Sequence, residues 1–282
     1  MKIKNNMKNI INKWGLFLMV LIISGCSTSE EQTVARFTTI SMQDEFNRDG
    51  APNSSIWTYD IGQGQDGWGN GELQYYTDRP SNVTVQNGYL IITAEEENYE
   101  GASYTSARLL TKGLFDQKYG RFEARMRLPY GQGMWPAFWM LGSNIDEVSW
   151  PQCGEIDIME NRGSEPTIMY GAVHGPGYCG SSAICAEPPV FKGFDLQNER
   201  LDTNFHVYGI EWGPGYINFY IDDVLYNQVT PEDVNGEWVF DDQPFFIIIN
   251  LAVGGNFGGP PNSETVFPQT LLVDYVRVYE SY

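Results

Sequence analysis

Between Gly120 and Pro129, Phe122, Ala124, Met126 and Leu128 alternate with Arg121, Glu123, Arg125 and Arg127. A two-residue period puts each set on its own face of a strand, so the segment fits a half-buried antiparallel sheet and no helix. Gly88 to Glu96, Phe205 to Trp212, Tyr216 to Ile221 and Leu271 to Tyr279 read similarly, and Asp222-Asp223 reads as a hairpin turn. Phe245 to Val253 is apolar throughout, as a central strand buried on both faces would be. No amphipathic segment exceeds a couple of helical turns, and neither an internal repeat nor an interdomain linker is present. Short strands punctuated by Gly, Asn, Asp and Pro predict an all-β, two-sheet antiparallel sandwich over residues 37–282. Two stretches break the rhythm, Gly142 to Gln152 and roughly residues 175–204, and are expected to be long functional loops.

The front of the chain has another character. Lys2, Lys4, Lys8 and Lys13 precede an apolar run, Trp14 to Ile23, followed by Ser24-Gly25-Cys26. A basic start, a short apolar run and small residues make residues 1–25 a secretory signal, too short to span a bilayer comfortably. Ile23-Ser24-Gly25-Cys26 resembles the bacterial lipobox, which implies cleavage before Cys26 and lipidation of its thiol. Residues 26–36 then form a flexible tether, and the protein is expected to be an exported lipoprotein of the cell envelope, at the outer membrane or cell surface, a monomer that meets the membrane only through its lipid anchor.

The whole chain carries a formal charge of −19. Removing the four lysines of the leader leaves 13 basic residues against 36 acidic ones, a charge of −23. Such a surface repels polyphosphates, and no basic patch relieves it, so nucleic acid is excluded as a partner. Export permits disulfides. Cys179 and Cys185 enclose a short flexible loop in which they could pair, leaving Cys153 as a free thiol, although an odd count cannot settle connectivity.

The chemistry concentrates at Gly154-Glu155-Ile156-Asp157-Ile158-Met159-Glu160-Asn161. Glu155 and Asp157 share a strand face, whereas a regular strand would send Glu160 to the other one. One extra residue, a β-bulge at Ile158-Met159, would return all three carboxylates to one face. Clustered carboxylates repel, so at least one should hold its proton more tightly, and an acid beside an ionised carboxylate is what glycoside cleavage needs. An exposed acidic strand or a calcium site would also cluster acids, but the interleaved isoleucines place these on a strand buried on its other side.

This segment resembles the signature of the family-sixteen glycoside hydrolases in its bulged, laminarinase-like form. The resemblance extends over residues 37–282: Trp68-Gly-Asn-Gly-Glu72-Leu-Gln74-Tyr75-Tyr76-Thr77, Tyr104-Thr-Ser-Ala-Arg108-Leu, Tyr119-Gly-Arg-Phe-Glu-Ala-Arg125, Gly133-Met-Trp135-Pro-Ala-Phe-Trp139-Met-Leu141 and Asn250-Leu-Ala-Val-Gly-Gly-Asn256 follow in the family's order. It implies a β-jelly-roll sandwich with a glycan cleft across one sheet. It also implies retaining hydrolysis, with Glu155 as nucleophile, Glu160 as acid/base and Asp157 between them, and no catalytic cofactor.

Trp135 and Trp139, four apart and so on one strand face, could stack on sugar rings or fill a core; the resemblance assigns them to the substrate side, with Trp150 beside them. Asn70, Glu72, Arg108, His174 and Asn256 match cleft positions, although Arg108 could be an ordinary surface charge. His206 reads as structural, and no Gly-x-Ser-x-Gly elbow supports a serine triad. The resemblance also implies a structural Ca²⁺ on the carbonyl oxygens of Glu45 and Gly88 and on Asp274, where Asp44-Glu45 could instead only cap a turn. The three-residue Ile-Met-Glu spacing resembles β-1,3-glucanases, with mixed-linkage β-glucanases and agarases as alternatives on the same scaffold and a non-catalytic β-glucan-binding lipoprotein as the alternative of another class. Sulfated glycans should require a basic cleft, so the expected substrate is a neutral β-glucan.

Overall fold

The computed structural model describes residues 37–180 and 184–281. The leader, Cys26 and the tether lie outside the described residues. Numbered along the chain, β2 (Thr58–Asp60), β7 (Arg108–Leu110), β9 (Met134–Gly142), β10 (Glu155–Glu160), β11 (Ile168–His174), β12 (Val190–Asp195) and β16 (Phe245–Val253) form a seven-stranded sheet. Its order is β12-β11-β10-β9-β16-β7-β2. The second sheet contains β1 (Ile40–Asp44), β3 (Gln74–Tyr76), β4 (Val83–Gln86), β5 (Tyr89–Tyr99), β6 (Ala102–Ser106), β8 (Gly120–Arg127), β13 (His206–Gly213), β14 (Tyr216–Ile221), β15 (Val224–Val229) and β17 (Gln269–Tyr279). Its main path runs β15-β14-β13-β8-β17-β5-β6-β3, with β1 on β17 and β4 on β5. Among the described strands, only β3 and β6 pair in parallel.

The two sheets bury their facing sides together. Leu90, Ile92, Phe122, Ala124, Ile210 and Val276 meet Leu109, Phe138, Ile156, Ile249 and Leu251 in one interior cluster, each large side chain contributing about 1.5–3 kcal/mol through burial. β16 reads as apolar throughout because both its faces are covered. Phe245, Ile247 and Ile249 enter the interior, while Phe246 and Ile248 join Leu110, Leu141 and Cys153 in a second cluster beneath Trp139 and Trp150.

The expectation of a solvated face on β8 is corrected. Arg121 and Glu123 are buried, with Arg121 paired to Glu123 at 2.8 Å, to Glu211 at 3.2 Å and to Asp223 at 3.3 Å. Cross-strand ion pairing, invisible to a local period, makes this burial tolerable. The long loops are also more ordered than expected. Residues 142–152 contain a single helical turn, Ile145–Val148, and residues 175–204 contain β12, an outer strand on β11.

Candidate active site

Gly154, at φ 77°, turns the chain into β10; a side chain there would meet Val239 and Phe245 at 2.9 and 3.0 Å. Along β10, Asp157 pairs with Trp139 of β9 and Met159 with Phe138, so Ile158 is the extra residue of a bulge. Against β11 the same interruption falls between Asp157, opposite Ala172, and Glu160, opposite Tyr170. The bulge lets Ile158 and Met159 both enter the interior cluster. Glu155 and Glu160 then line one cleft, with Asp157 buried between them.

His174 lies directly opposite Glu155 on β11. Its Nε2 is 2.9 Å from Asp157 Oδ2 and 3.6 Å from Glu155 Oε1, and its Nδ1 is 3.0 Å from the Cys179 carbonyl oxygen. Burial alone would strip the imidazole of its proton, but the carboxylates of Glu155 and Asp157 prevail and raise it to about 10. Burial first, and then the Asp157 charge, raise Glu155 to about 7 and Glu160 to about 8. The His174 charge opposes both shifts, aided by Trp150 at Glu155 and by the Trp135 indole N–H, which donates to Glu160 Oε1 at 2.8 Å. The two glutamates titrate as a coupled pair, so one can be ionised while its neighbour keeps a proton. One carboxylate suits attack while the other retains a proton to deliver.

The cleft has a volume of about 830 Å³ and is lined by Asn70, Arg108, Trp135, Trp139, Trp150, His174 and Asn256 together with the two glutamates. The Arg108 guanidinium lies 4.8 Å from the Trp68 ring and 4.7 Å from the Trp139 ring, and its Nε meets Asp60 at 2.9 Å. The Trp139 indole donates to Asn250 at 2.7 Å, Asn250 to the Tyr76 hydroxyl at 3.0 Å, and Tyr76 to Glu72 at 2.9 Å. Glu72 also accepts from Gln74 at 2.7 Å and Asn70 at 3.4 Å. Glu72 itself is not among the residues lining the cleft. Its buried carboxylate anchors Asn70 from beneath, because a charge with so many internal donors is satisfied without a ligand.

A family model, Glycosyl hydrolases family 16, matches residues 70–275. The chain belongs to that family. A β-glucanase of Rhodothermus marinus is 43% identical, the match covering 97% of this chain and 96% of the relative. The laminarinase catalytic domain of Thermotoga maritima superimposes with a TM-score of 0.79 at 43% identity, covering 86% of this chain and 98% of that one. An endo-β-1,3-glucanase of Pyrococcus furiosus gives 0.80 at 44% identity, covering 88% and 99%.

The two sheets of this family 16 glycoside hydrolase are accordingly a jelly-roll sandwich. Several cleft residues escaped the sequence reading. Phe191 of β12 stacks on Tyr170 at 4.9 Å, Phe257 lies 5.3 Å from Trp135, and Arg162 lies over Phe257 at 4.3 Å. Arg162 and Phe257 each stand one position beyond a quoted motif, which was the available signal; Phe191 sits in a stretch expected to be loop. Cys179 and Cys185 form a disulfide, and Cys153 is a buried free thiol raised to about 12 by burial and Glu155. His206 is buried away from the cleft against Asp222.

Among the described residues, only Glu155, Asp157 and His174 bring three acid or imidazole donors within 4.8 Å of one another. The imidazolium already compensates those acids. On the other sheet, one edge of β17 pairs with β5 up to Val273 and with β1 from Val276. Asp274 falls between these two pairings. Its carboxylate meets Arg125 at 2.5 Å, while that of Glu45 meets Arg277 at 2.7 Å.

Proposed function

We propose that this family 16 enzyme is a retaining endo-β-1,3-glucanase acting on neutral laminarin-type glucans. The observation that carries the reading is the bulged strand, which directs Glu155 and Glu160 into one aromatic-lined cleft. Relatives named laminarinase and endo-β-1,3-glucanase match almost their full length and support the linkage. In the first step Glu160 gives its proton to the glycosidic oxygen as the C–O bond breaks, and Glu155 attacks the anomeric carbon to form a glycosyl-enzyme. In the second, the Glu160 carboxylate takes a proton from water, whose oxygen displaces Glu155 with net retention. The Asp157–His174 pair holds the Glu155 side of the site in its charge state. Trp135, Trp139 and the other rings offer apolar faces to sugar C–H bonds.

Digestion of laminarin, lichenan, agarose and carrageenan, with products sized over time and anomers followed by proton NMR, tests this reading. Laminarin should yield long oligomers first, with the β-anomer appearing before mutarotation. Binding without release of reducing ends would instead identify a glucan-binding module. Preferential release from lichenan or agarose would move the substrate assignment, and an initial α-anomer would exclude retention.

Three further properties belong to the proposal. The N-terminal pattern supports export and anchoring through lipid on Cys26, so Cys26→Ser should move the protein from the membrane fraction to the soluble one. The acidic catalytic part is taken to act as a monomer, checked by light scattering. The family resemblance supports a structural Ca²⁺ on the Asp274 carboxylate and the carbonyl oxygens of Glu45 and Gly88, where the ion would have to compete with Arg125 for Asp274. A chelator should then lower Tm, and calcium, but not magnesium, should restore it.

A further inference from the structure

The His174 imidazole uses both ring nitrogens. Nε2 serves Asp157 and Glu155, while Nδ1 lies 3.0 Å from the carbonyl oxygen of Cys179. That carbonyl does not belong to a regular strand. It lies in the turn after β11, where Gly175 and Tyr178 exchange backbone hydrogen bonds of 3.0 Å. Two anchors hold the turn. The buried Tyr178 hydroxyl donates to the Glu237 carbonyl at 3.0 Å, and the Cys179–Cys185 disulfide joins the residue bearing the carbonyl to the returning chain. Both cysteines are buried, and Cys179 itself lines the cleft.

We infer that the Cys179–Cys185 disulfide is a positioning element of the catalytic site, acting through the Cys179 carbonyl to fix the imidazole of His174 against Asp157 and Glu155. An N–H donated to a fixed carbonyl sets the ring orientation and favours its protonated form. The charged groups around the imidazole and Glu155 are Asp157 and Glu160 of β10 and Arg108 of β7. Apolar Pro189 lines the cleft on the side toward β12. The imidazolium is thus the cation that the disulfide places among three carboxylates. Releasing the carbonyl weakens the hold on that cation, and Glu155 and Glu160 then keep their protons to higher pH.

This inference rests on the glycosidase reading, but its main test does not require activity. The chain contains two histidines, and His206, paired with Asp222 on the other sheet, is an internal control. Imidazole titration by ¹H–¹⁵N NMR should be run on the untagged protein, on Cys185→Ser and on wild type reduced with a phosphine. The His174 midpoint should fall by at least about 0.5 pH unit, a threefold change in its protonation equilibrium, while His206 stays in place. On laminarin, both limbs of the kcat/KM profile should move to higher pH, and reoxidation of the reduced wild type should restore them. An unchanged His174 midpoint in a folded, disulfide-free protein overturns the inference, as does a rise in KM with an unmoved pH profile. Should Cys185→Ser fail to fold, the reduced wild type decides by the same criteria. Inactive wild type with a shifting His174 would instead sink the glycosidase reading and leave the positioning role standing.

Discussion

Asp157→Asn removes one charge from the centre of the site while keeping the side chain's shape, and the direction of its effect follows from the contacts. The donor atoms of Glu155, Asp157 and His174 lie within 4.8 Å of one another. At that distance, with an effective dielectric near 20, two unit charges interact by about 3.5 kcal/mol, or about 2.5 pK units. The open cleft screens part of this, leaving an expected effect of about 1–2 units. Asp157 raises both Glu155 and Glu160, to about 7 and about 8. His174 keeps Glu155 as a partner when Asp157 is neutralised, so its charge then acts on the glutamates without opposition. Both glutamates should lose protons at lower pH. The wild-type kcat/KM profile should be a narrow bell with limbs near these two values, belonging to the coupled pair. In Asp157→Asn both limbs should move to lower pH. The assay is reducing-end release from laminarin across pH 4–10, each point controlled for folding by circular dichroism. Unmoved limbs, or limbs displaced to higher pH, would refute this account of the electrostatics.

Other changes probe separate parts of the structure. Glu155→Ser should reduce laminarin cleavage by more than about 10⁴-fold, with laminarin affinity by calorimetry and Tm preserved; appreciable turnover would remove Glu155 from the nucleophile's role. Arg108→Lys loses the planar group between Trp68 and Trp139 and should lower kcat/KM by about 10–100-fold, whereas near-wild-type kinetics would show that the stack does not shape the cleft. Ile156→Ala empties a fully buried site beneath the carboxylates and should cost about 2–5 kcal/mol, lowering Tm by roughly 5–15 °C in a calorimetric scan. Glu72→Gln keeps the buried shape but weakens the acceptor of Tyr76, Gln74 and Asn70, so it should raise KM more than it lowers kcat; a loss confined to kcat would place Glu72 nearer the chemistry.

The chain's own periodicity was enough to establish strands such as β8, β14 and β17, because alternation is a local property of each segment. The three carboxylates, and the need for one extra residue between Asp157 and Glu160, were likewise legible, since face assignment follows from counting along a strand. Counting could not show what lies across the sheets. Arg121 and Glu123 read as solvated side chains, yet they are buried because Glu211 on the neighbouring strand comes within 3.2 Å of Arg121. Glu72 read as a sugar contact, and nothing local showed that it ends a hydrogen-bond chain from Trp139 through Asn250 and Tyr76, the last two separated by 174 positions. The orientation of His174 depends on a carbonyl in a turn that carries no period. A side chain's face is set by its nearest neighbours in sequence, whereas its hydrogen-bonding partner is set by strand order and register, and these exist only once the sheets have closed on one another.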